Sequence, residues 1–197
     1  MIGLIYSRFL DEHVVNVMYE HADSGFNPDR SDGCRFLMMN GAVTSGTAKQ
    51  HPTVDDSSTL AEITECKYAA DDVVTFRNFL GELGFEVEEP SIIYQDNRPA
   101  IMIANGKKSL GSKSRHMMIR CAKLSEHITD QEVMLKWKST VQLIADLGTK
   151  FHGKERFEFL RDLMNGYALV RAAQQEYAIP KQVTSLAMLM TKKIGGN

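Results

Sequence analysis

The chain reads as an α/β domain, and three observations carry that reading. Two apolar runs, Cys34 to Met39 and Ala42 to Thr47, are separated by Asn40-Gly41, a strong two-residue hairpin signal. Leu60, Ile63, Ala70, Val73, Val74, Leu80 and Leu83 then recur at helical spacing. Beyond that helix, short apolar runs suited to strands alternate with helical patterns. The order β-β-β-α-β-α-(α)-β-α implies a hairpin sheet continued by strands that alternate with helices.

Each element has its own justification. Val14 to Tyr19 is rich in β-branched residues and predicts a first strand leading into His21. Asn27 to Gly33 is a turn cluster, and the hairpin after it completes three antiparallel strands. Thr59 with Glu62 three residues on fits a capping box, so the long helix is expected to start near Ser58 or Thr59, and Gly84 ends it. Ser91-Ile92-Ile93-Tyr94 suits a buried strand after Pro90. Pro99 sits in the first turn of a short helix running to about Ala104, closed by Asn105-Gly106. Ile119 to His127 is weakly helical, and Val133 to Trp137 reads as a strand. Thr140 to Leu147 and Lys154 to Leu163 read as helices. Tyr167 to Glu176 and Val183 to Lys193, broken at Pro180, form a helical tail whose Val183, Leu186 and Met190 make an apolar stripe.

Length and composition narrow the class. At 197 residues the chain holds one domain with a buried core, its apolar content is ordinary, and no apolar run approaches the ~20 residues of a membrane helix. No secretory signal is visible, and Cys34, Cys66 and Cys121 have no CxxC spacing. Free thiols in a reducing cytoplasmic or nuclear setting are expected, and zinc is not. Net charge is −2, which gives no overall case for nucleic acid, but Lys107, Lys108, Lys113, Arg115, His116, Arg120 and Lys123 cluster with almost no acid between them. That stretch is either a solvated loop or a phosphate-contacting patch.

Acidic residues in four segments suggest a metal-dependent nuclease. They are Asp23, two residues after His21, within Tyr19-Glu20-His21-Ala22-Asp23, Glu62 after Ser57-Ser58-Thr59-Leu60-Ala61, Asp96 in Tyr94-Gln95-Asp96-Asn97, and Asp146 in Ala145-Asp146-Leu147-Gly148-Thr149-Lys150. Together with Gln50-His51-Pro52-Thr53-Val54, Phe79 to Gly84, Arg98 to Ile101, Ser112 to His116 with Ile119-Arg120, and Arg156-Phe157 with Leu160-Arg161, the order and spacing resemble the ribonuclease H domain of copia-type LTR retrotransposon Pol polyproteins. The resemblance covers about Tyr19 to Leu163. It implies an RNase H-like fold, a five-stranded mixed sheet with helices on both faces, spanning about residues 14–165. Residues 1–13 would be the remnant of a connection from the reverse transcriptase, and 166–197 the helical tail.

The same resemblance implies cleavage of RNA in an RNA–DNA hybrid with two Mg²⁺ or Mn²⁺ ions held by four carboxylates, and the reverse transcriptase portion of the same polyprotein as a partner. Two hard cations about 3.5–4 Å apart suit in-line phosphoryl displacement, and magnesium prefers oxygen ligands. Glu62, Asp96 and Asp146 match the family's ligand positions. Their plainer readings are a capping-box Glu, an N-cap Asp and a solvent-facing helical Asp. His21 falls at the first-strand aspartate position, where one imidazole nitrogen cannot bridge two cations. Asp23 shares its strand face but lies about 6.6–6.8 Å further along. The expectation is therefore an impaired site in which His21 replaces the first aspartate and Asp23 is the only candidate to hold metal in its place, as a partial rescue. Leu60, Met118 and Ala122 depart from the family's Glu, Asp and His. Trp137 is expected to pack in the core or on the sheet face rather than stack on bases. The alternatives are an active or weakened RNase H, a domesticated RNase H fold that binds nucleic acid or protein, and an unrelated RNase H-like enzyme.

Overall fold

The computed structural model describes residues 18–85, 87–109 and 115–166. The expected first-strand residues 14–17, the connection 1–13, Lys113 and the helical tail lie outside them. Strands β1 (Met18–Gly25), β2 (Asp32–Met39), β3 (Ala42–Gln50), β4 (Ser91–Gln95) and β5 (Val133–Trp137) form one sheet in the order β3-β2-β1-β4-β5. β1, β2 and β3 are antiparallel, while β1, β4 and β5 run parallel. The hairpin turn falls at Asn40-Gly41, where both residues take positive φ (52° and 90°), the geometry of a type I′ turn.

Helices α1 (Ser58–Glu82), α2 (Arg98–Ala104) and α3 (Arg115–Thr129) cover one face of the sheet. The main core lies between them: Ala22, Leu37 and Ile93 from the sheet meet Leu60, Ile63, Ala69 and Val73 of α1 and Met117 and Leu124 of α3. Each large side chain buried there contributes about 1.5–3 kcal/mol. α4 (Asp146–Thr149) packs against β1 and β2 on the opposite face, with α5 (Lys154–Met164) beside β3. A five-stranded mixed sheet with helices on both faces is thus what the chain forms.

Several local expectations are corrected. The cap of α1 is Ser57, whose Oγ accepts from the Leu60 amide at 3.4 Å, so Glu62 is not half of a capping box. Asn97 caps α2 by accepting from the Ala100 amide at 3.0 Å, which frees Asp96 from that role. α3 begins at Arg115 rather than Ile119. The helix expected from Thr140 to Leu147 is instead a 3-10 turn at Thr140–Gln142, an extended Leu143, and the short α4. Leu143, Ile144 and Ala145 are all buried, and three consecutive buried residues do not fit one stripe of a surface helix.

The α1 face also holds a buried ionic network. His51 bonds Asp55 through Nδ1 (2.6 Å) and Glu65 through Nε2 (3.0 Å). Asp55 accepts from Thr64 (3.0 Å), Glu65 from Arg35 (3.0 Å), and Arg35 also bonds Asp72. Gly33 makes room for it: a Cβ there would lie 2.0 Å from Glu65 Oε2 and 2.6 Å from His51 Nε2. Gly33→Ala is expected to cost about 1–3 kcal/mol through overpacking against side chains that cannot swing away. A lowered urea midpoint with unchanged slope is the check.

Candidate metal centre

Three carboxylates from three separate elements converge at the carboxyl edge of the parallel strands. One oxygen each from Asp23 of β1, Asp96 after β4 and Asp146 of α4 all lie within 4.8 Å of one another, with Asp23 and Asp146 buried. Strand register explains the meeting. β1 pairs with β4 through Tyr19–Ile92, Glu20–Ile93 and His21–Tyr94, so continuing that register sets Asp23 level with Asp96. The edge beyond the strand ends is where open α/β sheets place their sites. On α4, Gly148 lets the helix lie against β2, since a Cβ there would sit 2.4 Å from Cys34 Sγ, and the close approach delivers Asp146.

Glu62 borders this cluster from α1. Its Oε2 accepts from the Ser24 amide and from Gln95 Nε2, each at 3.0 Å. Gln95 is fully buried, and its Oε1 accepts from the amides of Asp96 (2.7 Å) and Asn97 (2.9 Å). One side chain thus ties Glu62 to the backbone that carries Asp96. Burial, then the neighbouring Asp23 and Asp96 charges, push the Glu62 carboxyl well above the usual range. Burial likewise raises Asp23, against the Thr149 hydrogen bond and the Lys150 charge that lower it, with Asp146 and Asp96 adding to the rise. Crowded, desolvated carboxylates of this kind favour an added positive charge.

Part of that charge is supplied by the chain. Lys150 Nζ lies 2.7 Å from Asp146 Oδ1 and 3.3 Å from Asp23 Oδ1, and Arg156 reaches Asp146 Oδ2 at 2.7 Å. Burial lowers the Lys150 pKa, but the Asp146 hydrogen bond and the carboxylate charges outweigh it and raise the ammonium above its ordinary value. Thr149 bonds Asp23, and Thr140 bonds Asp96 at 2.7 Å. These partners carried no role from sequence, although Asp146 and Lys150 stand at the i, i+4 spacing of a helical ion pair. Gln95 lies within a segment that carries the resemblance but had no assigned role, and Thr140 had no sequence signal; the fold brings both in. The donor set is oxygen throughout, which fits a hard divalent cation.

The resemblance puts His21 at the first-strand ligand position, and strand geometry sets Asp23 one pleat further along; in the structure Asp23, and not His21, lies in the cluster with Asp96 and Asp146. His21 is level with Tyr94, short of the strand end, and lies buried against the rings of Tyr19 and Tyr94. Its Nδ1 accepts from the Ile144 amide at 3.2 Å, and its Nε2 has no partner among the described residues. Burial, reinforced by Lys138, holds its pKa well below the usual value, so the ring is neutral and docks the segment before Asp146.

The basic stretch divides. Lys107, Lys108, Arg115 and His116 are exposed, while Arg120 is turned inward to Thr53 (2.6 Å), Thr64 (3.2 Å) and Asp55 (3.7 Å). Arg120 therefore serves the buried network rather than a free basic face. Trp137, expected in the core or on the sheet face, is 48% exposed.

No protein-family model matches the chain. Over 139 residues it is 27% identical to the retrovirus-related Pol polyprotein from transposon TNT 1-94 of Nicotiana tabacum. That match takes in 70% of the chain and 10% of the polyprotein, so the chain spans about a tenth of this curated relative. Among solved structures, the N-terminal RNase H domain of a Mycobacterium tuberculosis protein, fused to maltose-binding protein, superposes with a TM-score of 0.52 at 10% identity. It covers 74% of this chain and 96% of that one. LC11-RNase H1, solved in complex with an RNA/DNA hybrid, gives 0.48 at 11% identity over 62% of this chain and 86% of its own. The chain has the RNase H fold and, in fold and sequence together, resembles the RNase H domain of a retroelement Pol polyprotein.

Proposed function

We propose that the chain is the RNase H domain of a copia-type retrotransposon polyprotein and cuts RNA in RNA–DNA hybrids with divalent cations, Mg²⁺ or Mn²⁺. The observation that carries this reading is the convergence of Asp23, Asp96 and Asp146 within 4.8 Å, with Glu62 beside them. Asp23, Asp96 and Asp146 would hold the cation, and Glu62 would complete the set. When bound, two such cations activate a water and stabilise the leaving oxygen. Lys150 and Arg156 orient the Asp23 and Asp146 carboxylates, Thr140 orients Asp96, and Gln95 fixes the turn between β4 and α2. With Asp23 in the cluster, the impairment inferred from His21 loses its geometric premise.

A second reading has one observation in its favour. Lys150, Arg156, Thr149 and Thr140 already occupy carboxylate oxygens, an arrangement that also suits a fold that binds nucleic acid without cutting it. A labelled RNA–DNA hybrid separates the two. The enzyme reading expects Mg²⁺- or Mn²⁺-dependent RNA fragments that EDTA abolishes. A folded chain that shifts the hybrid on a gel, weakens steeply with salt and yields no fragments with either metal would leave only the binding reading.

A further inference from the structure

We propose that Trp137 and Arg98 form a nucleotide-binding platform beside the carboxylates, taking a sugar or base of the strand that crosses them; this deepens the hybrid-cleavage reading and rests on it. Trp137 ends β5 at the sheet edge that also carries Asp23 and Asp96. Its indole is exposed yet fixed, because Nε1 donates to the Asp96 carbonyl at 3.1 Å. A nucleotide on that ring therefore sits next to the group that would hold the scissile phosphate.

The Arg98 guanidinium, in the first turn of α2, lies 4.4 Å from the indole centroid. A cation–π pair between exposed groups is weak, so a competing flat surface opens it readily. The guanidinium released from the ring is then free to meet a phosphate. Lys136 and Lys138 alternate with Trp137 and leave the strand on its other face, where Lys138 lies 4.0 Å from the Tyr94 ring centroid, so Arg98 is the cation at the indole. A flat ring with a guanidinium beside it is the combination that nucleic-acid strands use, with stacking for the base or sugar and charge for the backbone. An aromatic peptide side chain also fits the ring, but it would leave the displaced Arg98 facing no anion. In a paired strand the base faces are covered and the indole meets the sugar; in an unpaired strand it meets the base itself.

The chain contains one tryptophan, so tryptophan emission reports on this position alone. The full chain is titrated in EDTA, which separates binding from cleavage, with an RNA–DNA hybrid, a single-stranded DNA of equal length and inorganic phosphate. The expected result is a saturable emission change with the hybrid, its midpoint matching the gel shift. Trp137→Ala and Arg98→Ala weaken hybrid binding by about 5- to 100-fold, and Trp137→Phe keeps most of it. A larger change with the single strand assigns the base, and an equal or smaller one the sugar. Arg98→Ala leaves the indole bond to Asp96 in place, so it tests the platform without disturbing that anchor. A gel shift with silent emission, or both alanine variants binding like the natural chain, overturns the proposal while wild-type cleavage still upholds the function. An equal response to phosphate alone overturns it in favour of a plain anion site. A folded chain that neither binds nor cuts the hybrid removes both readings.

Discussion

Asp23→Asn is expected to abolish metal-dependent hybrid cleavage, whereas His21→Asp is expected to bring no gain. Asparagine keeps the size of Asp23 and its bond from Thr149 but removes one negative charge from the three-carboxylate cluster. The loss should exceed the 10- to 100-fold that outer-sphere changes around a metal typically cost. Stability should hold or rise, because a buried carboxylate crowded by Asp96 and Asp146 is relieved. His21→Asp instead places a carboxylate one pleat behind the cluster, between Tyr19 and Tyr94, with the Ile144 amide as its near donor. A carboxylate left short of partners there should cost about 1–3 kcal/mol in stability and leave cleavage unraised. Single-turnover assays on the hybrid and Mg²⁺ calorimetry on both variants decide it. Cleavage that survives Asp23→Asn and climbs with His21→Asp would return the ligand position to residue 21.

His51→Ala should be among the most destabilising single changes in the chain, at about 3–5 kcal/mol. The side chain is 1% exposed and bonds two buried carboxylates, Asp55 and Glu65. Removing one member of such a set strands the charge of the others. Burial alone would lower the His51 pKa, but the hydrogen bonds and charges of Asp55 and Glu65 outweigh it and raise the pKa to about 9. The sign follows from linkage. A histidine raised from about 6.5 when unfolded to about 9 when folded contributes its full share, about 3 kcal/mol, below pH 6.5. That share fades as pH climbs from 6.5 and is gone above 9. Urea unfolding between pH 6 and pH 10 should show the natural chain losing this increment and His51→Ala staying flat across the same range.

The hairpin and β5 were written in local pattern: Asn40-Gly41 needs no partner to specify its turn, and Val133 to Trp137 matches the observed strand. Glu62, Asp96 and Asp146 were also readable as acids flanked by the right neighbours, and the structure gathers Asp96 and Asp146 at one point with Glu62 at its margin. What local sequence does not encode is non-local. The choice between His21 and Asp23 depends on the register between β1 and β4, strands far apart in sequence, and no local periodicity encodes it. The segment before Asp146 misled because Leu143-Ile144-Ala145 is apolar for burial, not for helix amphipathicity. The His51 network stayed hidden because its partners come from a loop, a strand and two helices.

The short β1–β4 seam also sets a schedule. Among the described residues three pairs join these strands, yet they align Asp23 with Asp96, and Asp146 arrives later in the chain on α4. Pairings between distant segments form slowly because long loops must close first. A ribosome releases β1, α1 and β4 before α4, so a nascent chain carries three of the four acids while lacking Asp146 and its companions Lys150 and Arg156. Whatever these carboxylates bind, the complete grip exists only once synthesis has passed α4 and that helix has docked. Competence at this site is a late milestone of folding.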